Sequence, residues 1–157
     1  MTFVISNLRD CRQFQQIVAN RIWNAWWKSD GHSAEEITDA IAKIVDATDF
    51  PFALVAHRNE EYLGHILGIV SDLDNRPDLT PWIAALWVDP LHRRNGVATR
   101  LLLSAEQQFS KLGRSTIYLC ATEEKCGYYL ARRWELIGRE ADIPALDFFE
   151  KTLTQPA

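Results

Sequence analysis

The stretch Val88-Asp89-Pro90-Leu91-His92-Arg93-Arg94-Asn95-Gly96-Val97-Ala98 concentrates the residue types that handle anions. An apolar run ends at Val88, Pro90 forces a turn, and a helical pattern led by Gly96 begins eight residues after Val88. The first turn of a helix holds four N–H groups without intrahelical partners, and the helix dipole adds partial positive charge there. Such a start is a ready anion site. Gly96 lets the backbone approach a phosphate closely, Ala98 keeps the approach open, and Arg93 and Arg94 add charge beside it. The arrangement suits a pyrophosphate better than a bare carboxylate. Plain solvation and capping of a helix start explain the same residues on local features alone. The phosphate motifs with fixed spacing, GxxxxGK[ST] and a GxGxxG that follows a strand, are absent.

Other reactive side chains are dispersed. Cys11, Cys120 and Cys126 are an odd set without CxxC spacing, which argues against a disulfide framework and for a reducing compartment. His32, His57, His65 and His92 show no helical ligand spacing, so no metal site is expected. His65, inside an apolar run, reads as a satisfied core residue rather than a base. Asp72-x-Asp74 fails as a calcium loop, because position six is Pro77 and position twelve is Ile83. The two aspartates read as turn residues or as carboxylates acting through water. Trp23, Trp26 and Trp27 fall at i, i+3 and i+4, as a core-facing edge or an aromatic wall.

The elements that must position these residues follow from periodicity. Residues 2–6 read as a short strand, and 9–28 as a helix with Phe14, Ile17, Val18, Ile22 and Trp26 on one face. Gly31 breaks it, and Ser33 with Glu36 makes a capping box for a second helix with an Ile37, Ile41, Ile44 and Val45 stripe. Residues 52–58 and 62–72 form a hairpin around Asn59-Glu60-Glu61, with Gly64 and Gly68 marking a bulge or close packing. Trp82 to Val88 is apolar throughout, as expected of a strand covered on both faces and central in its sheet. A third helix runs from Gly96 to a cap at Gly113, followed by a strand at 115–121, a short helix at 123–132 and strands at 134–139 and 145–153. The order β-α-α-β-β-β-α-β-α-β-β predicts an α/β fold, a mixed α+β sheet with one strand–helix–strand crossover, as a single domain over 1–157.

Composition narrows the function classes. The apolar share of 47% and charged share of 24% are those of a globular protein and exclude disordered and fibrous classes. The longest apolar run has seven residues, whereas a membrane span needs about 20. The first eleven residues lack a basic-then-apolar signal pattern, so a cytoplasmic location is expected. Seventeen basic against twenty-one acidic residues, a net charge of −4, disfavour nucleic-acid binding.

Arg93-Arg94-Asn95-Gly96-Val97-Ala98 matches the [RQ]-x-x-G-x-[GA] acetyl-CoA signature, and the chain thereby resembles the GNAT N-acetyltransferase superfamily. Leu86-Trp87-Val88-Asp89-Pro90 is similar to that family's strand and turn before the loop. Tyr128-Tyr129-Leu130-Ala131-Arg132-Arg133-Trp134 resembles its second signature, an aromatic pair followed by a Gly-aromatic. The element order is also the GNAT order, so the resemblance covers essentially the whole chain. Asp72 to Trp82 is further similar to a bacterial subgroup whose acceptors are mostly unassigned. Two positions depart from the pattern: Arg133 replaces the Gly, and Thr122 stands where many members have Asn.

The resemblance implies acetyl-CoA as co-substrate and no metal. It implies that the backbone of Leu86, Trp87 and Val88 bonds pantetheine as an added strand, with an N–H there stabilising the oxyanion. It further implies that Arg93, Arg94, Asn95, Gly96, Val97, Ala98 and Thr99 wrap the pyrophosphate and that Tyr129 protonates the departing thiolate. The helix link bordering the acceptor site brings in Trp27, with Asp72, Asp74 or Glu123 acting on the amine through water. Cys126 has no matched base, so direct attack in a ternary complex is expected. The acidic loops favour a small cationic or aminoglycoside-like amine acceptor, with the protein a monomer or homodimer. The alternatives are an acetyltransferase of protein N-termini or lysines and a non-catalytic acyl-CoA sensor. A toxin acting on charged tRNA is disfavoured by the acidic chain.

Overall fold

The computed structural model describes residues 2–73, 75–140 and 146–154. The strands are β1 (Val4–Asn7), β2 (Phe52–Arg58), β3 (Glu61–Ile69), β4 (Trp82–Val88), β5 (Thr116–Ala121), β6 (Glu135–Glu140) and β7 (Leu146–Thr152). The helices are α1 (Gln15–Ile22), α2 (Ala34–Asp46), α3 (Val97–Lys111) and α4 (Cys126–Leu130). The strand order β1-β2-β3-β4-β5-β7-β6 makes a seven-stranded mixed sheet, in which β4 and β5 pair parallel while β1–β2, β2–β3, β5–β7 and β6–β7 pair antiparallel. The expected order of elements and the central place of Trp82–Val88 are both found.

The chain divides into two compact units, one running up to Gly68 and including Ala85–Ala105, the other holding Ile69–Ala84 and the chain from Glu106 on. In the first, Asn59 takes a left-handed φ of 54° at the β2–β3 turn, and Val55 pairs with His65. Ser33 and Glu36 form the reciprocal capping box, so α2 starts where the sequence places it and buries Ile37, Ile41 and Val45. In the second, Leu73, Trp82 and Phe148 cluster with Tyr118 and Cys120, and the Trp82 indole donates to the Leu79 carbonyl at 2.6 Å. Gly113, with φ of 80°, ends α3: the Arg114 N–H reaches back to the Phe109 carbonyl at 3.0 Å.

The first helix departs from expectation. Residues 9–28 do not form one α-helix; two short 3₁₀ turns precede α1, and Trp23–Trp27 is a π-helical turn closed by the Lys28 N–H on the Trp23 carbonyl at 2.8 Å. The wider turn changes the angular phase, so the i, i+3, i+4 face read from the sequence is not conserved through the tryptophans.

Candidate functional site

In the first unit, β4 carries a local reversal. Ala85 has φ of 53°, a left-handed conformation inside a strand that costs an L-residue roughly 1–2 kcal/mol. A left-handed residue inside a strand turns the main chain of the residues that follow, here Leu86, Trp87 and Val88, of which the first two are half-buried. On the other side of the strand Gly64 of β3 packs so closely that a Cβ there lies 2.5 Å from the Trp87 carbonyl oxygen and 3.1 Å from the Val88 Cα. Close approach to β4 explains this glycine, which also borders a register shift in the β2–β3 pairing, where Ala56 faces Gly64 and His57 faces Tyr62.

Beyond β4, Asp89 accepts from Arg21 at 2.9 and 3.2 Å and from the Trp87 indole at 2.8 Å. Burial raises its carboxyl, but the bonds from Arg21 and Trp87 prevail and hold it below the usual carboxylate range. The lowered group contributes stability above its unfolded pKa of about 4, lost as pH falls through its folded value. Asp89→Asn is therefore expected to cost about 2 kcal/mol at pH 7. The gap in melting temperature between parent and variant should persist from pH 7 to 5 and close below about pH 4. A gap unchanged at pH 3 would reject this assignment.

The loop that follows is shaped by two left-handed residues, Arg94 at φ of 65° and Gly96 at 79°. Arg93 donates from Nε to the Val88 carbonyl at 2.8 Å and lays its guanidinium 4.8 Å from the Trp87 ring centroid. The Asn95 amide contacts the carbonyls of His92 and Arg93 at 3.4 and 3.3 Å. The ladder of α3 opens with the Arg100 N–H on the Gly96 carbonyl at 3.1 Å. A Cβ at Gly96 would meet nothing within 4 Å, so the glycine is there for its left-handed φ and not for want of space. Alternating left-handed residues that point N–H groups inward form an anion-binding nest, which fits a pyrophosphate.

The tryptophan cluster resolves differently from the reading by spacing. Trp27 packs against His32 with tilted rings at 5.0 Å, and the Trp23 indole donates to the His32 carbonyl at 2.9 Å. Trp26, 39% exposed, meets Trp87 edge-on at 6.1 Å. Trp26, one of the three tryptophans of the expected wall, is thus the indole beside Trp87 of β4. His65 is buried as expected but only half satisfied: Nδ1 bonds the Tyr62 hydroxyl at 2.6 Å, while Nε2 has no bond of ordinary geometry.

In the second unit Tyr129 is buried, ringed by Tyr128 at 5.2 Å, Phe149 at 5.7 Å and Trp134 at 6.3 Å. Burial first, then Tyr128, pushes its phenol up to about 12, against a smaller opposing effect of Arg132. Arg133 stands at φ of 69°, the left-handed position a glycine fills more easily, and lets the Trp134 N–H return to the Tyr129 carbonyl at 3.1 Å. The departure from Gly therefore keeps the turn at a conformational cost. Asp72 is exposed, and its charge acts on the Cys120 thiol, which burial foremost pushes up to about 12. Asp74 lies outside the described residues. Glu123, also exposed, faces Arg139 at 3.8 Å. Among the described residues no group of three His, Cys, Asp or Glu could hold a metal ion, and no helix is long and apolar enough to cross a membrane.

Sequence reasoning missed Arg21 and the Ala85 reversal. Arg21 and Asp89 are 68 positions apart and carry no local signal of their pairing. The reversal falls on an alanine in an apolar run, where propensity gives no hint.

Residues 19–133 match the Acetyltransferase (GNAT) family, and the chain belongs to that family, whose members are N-acetyltransferases. In fold it is similar to an aminoglycoside 6'-N-acetyltransferase complexed with coenzyme A, at TM-score 0.77 and 17% identity over 98% of this chain and 99% of that one. The aminoglycoside 6'-N-acetyltransferase of Enterococcus faecium is similar at 0.74 and 15%, over 98% and 99% of the two chains. The spermidine/spermine N-acetyltransferase of Vibrio cholerae is similar at 0.69 and 16%, over 96% and 95%. A search of curated proteins by sequence finds no match.

Proposed function

We propose that this protein transfers an acetyl group from acetyl-CoA to the primary amine of a small cationic metabolite or aminoglycoside-like acceptor, by direct attack in a ternary complex. The observation that carries the reading is the left-handed Arg94–Gly96 turn opening α3, whose alternating conformations form a nest suited to a diphosphate. In this reading Arg93 and Arg94 supply charge, and the main chain of Asn95, Gly96, Val97, Ala98 and Thr99 wraps the pyrophosphate. The main chain of Leu86, Trp87 and Val88 pairs with the pantetheine amides as an added strand.

Chemically, the neutral amine nitrogen attacks the thioester carbon, and an N–H of β4 takes the developing oxyanion. The C–S bond then breaks and Tyr129 passes its phenolic proton to the sulfur. The proton of the acylated nitrogen leaves through water toward Asp72, Asp74 or Glu123. Trp26 and Trp27 wall the acceptor. Trp26→Ala is expected to raise the acceptor KM about tenfold while the acetyl-CoA KM stays within twofold, by analogy with cation–π and packing losses of 1–2 kcal/mol. A rise in the acetyl-CoA KM alone would remove Trp26 from the acceptor side.

The deciding experiment is melting with and without acetyl-CoA, then thiol release across aminoglycosides, polyamines, amino acids and short peptides. Stabilisation with release for a small cationic amine supports the reading. Release only with peptides transfers it to protein N-termini or lysines. Stabilisation without release for any amine favours a sensor, and no stabilisation at millimolar acetyl-CoA rejects the pyrophosphate turn.

A further inference from the structure

His65 sits fully buried in β3, and the enzymatic reading above gives it no part. Its partner Tyr62 is also buried, and burial above all pushes the phenol well above its ordinary range, so Tyr62 keeps its proton. Burial likewise pushes the imidazole down to about 3, leaving the ring neutral at physiological pH. A neutral imidazole has one donor and one acceptor nitrogen. The Tyr62 hydroxyl lies 2.6 Å from Nδ1; with that hydroxyl donating, Nδ1 is the acceptor and the ring proton sits on Nε2. That buried N–H has no partner of ordinary bond geometry. The main-chain acceptor acting on the ring is that of Ala85, the residue at φ of 53° in β4.

A buried donor without a full partner and a strained strand residue beside it account for each other. The left-handed φ turns the main chain out of the strand's regular ladder and is sustained only where surrounding groups over-determine it. A neutral Nε2–H bonded to the Ala85 carbonyl would supply such a group, with the Tyr62 hydroxyl selecting the tautomer. We propose that His65, oriented by Tyr62, is a positioning residue for acyl transfer: it holds the Ala85 carbonyl reversed, and so aims the Leu86 and Trp87 main chain at the acyl group. The inference rests on the reading that β4 holds the thioester.

The test compares His65→Gln, whose side-chain N–H reaches the place of Nε2, with His65→Leu, which keeps bulk without a donor, and with Tyr62→Phe. Thiol release from acetyl-CoA is measured with whichever of kanamycin, spermidine, lysine or a tetrapeptide the parent acetylates. His65→Leu is expected to lower kcat at least tenfold with the acetyl-CoA KM within threefold, His65→Gln to recover most of it, and Tyr62→Phe to fall several-fold. Equal kcat in the Gln and Leu variants, or parental kcat in the Leu variant, overturns the proposal. Nitrogen-15 spectra of the parent provide a readout that needs no turnover: protonated Nε2 is expected for His65, and protonated Nδ1 overturns it. Failure of acetyl-CoA to stabilise the parent would instead reject the underlying site, a result separable from either.

Discussion

Tyr129→Phe is expected to lower kcat by about 10²–10⁴-fold while leaving the acetyl-CoA KM and the melting temperature nearly unchanged. The ring that remains still fills the space against Tyr128, Phe149 and Trp134, so packing is kept and only the hydroxyl is lost. The size of the effect follows from the proposed role. A phenol at about 12 is fully protonated near neutral pH and always ready to donate. Delivering its proton to a thiolate of pKa near 8.5 is uphill, by roughly 3.5 units or about 5 kcal/mol, unless the sulfur is held against the hydroxyl. The group therefore works through position. The same raised value predicts that the acid's loss does not limit the rate below about pH 10, because an acid fails only above its own pKa. Steady-state kinetics with thiol detection and a melting curve check both. A kcat within threefold of the parent would remove Tyr129 as the acid.

Gly64→Ala should have the largest structural effect of any single methyl group in the first unit. Its Cβ is placed 2.5 Å from the Trp87 carbonyl oxygen, 3.1 Å from the Val88 Cα and 3.2 Å from a Val88 methyl. The first two are backbone atoms, which cannot swing aside as a long side chain does, so β3 and β4 must separate. Overpacking of this kind costs about 3 kcal/mol, and in a chain of this size that lowers the melting temperature by roughly 10 °C. Trp87 and Val88 move with it, and stabilisation by acetyl-CoA is expected to weaken at least tenfold. Gly113→Ala is the matched control: at φ of 80° it pays backbone strain, yet its Cβ meets nothing within 4 Å. It should lose about 1 kcal/mol and keep its response to acetyl-CoA. Similar losses in both variants would show that the close approach at Gly64 does not matter.

What the sequence determined by itself is whatever depends on near neighbours. The Ser33–Glu36 box, the glycine ending α3, the hairpin turn at Asn59 and the apolar strand at 82–88 are written in spacings of a few residues, because caps, turns and periodicity act over one turn or one pleat. The Arg93-to-Ala98 loop belongs with them, since its left-handed turn needs only a glycine at Gly96 and a neighbour that tolerates the strain.

The tertiary structure decided the features that join distant segments. Trp26 rather than Trp27 meets Trp87 because a π-helical turn adds a residue to the helix, and that choice is fixed by what the turn packs against, not by the spacing of the tryptophans. Arg21 reaches Asp89 across 68 positions, and Ala85 adopts a conformation that alanine disfavours on its own. His65 looked like any core histidine along the chain. Its proton position depends on a tyrosine three residues away and its target on a strand twenty residues further, and only folding brings those energies to bear on one ring.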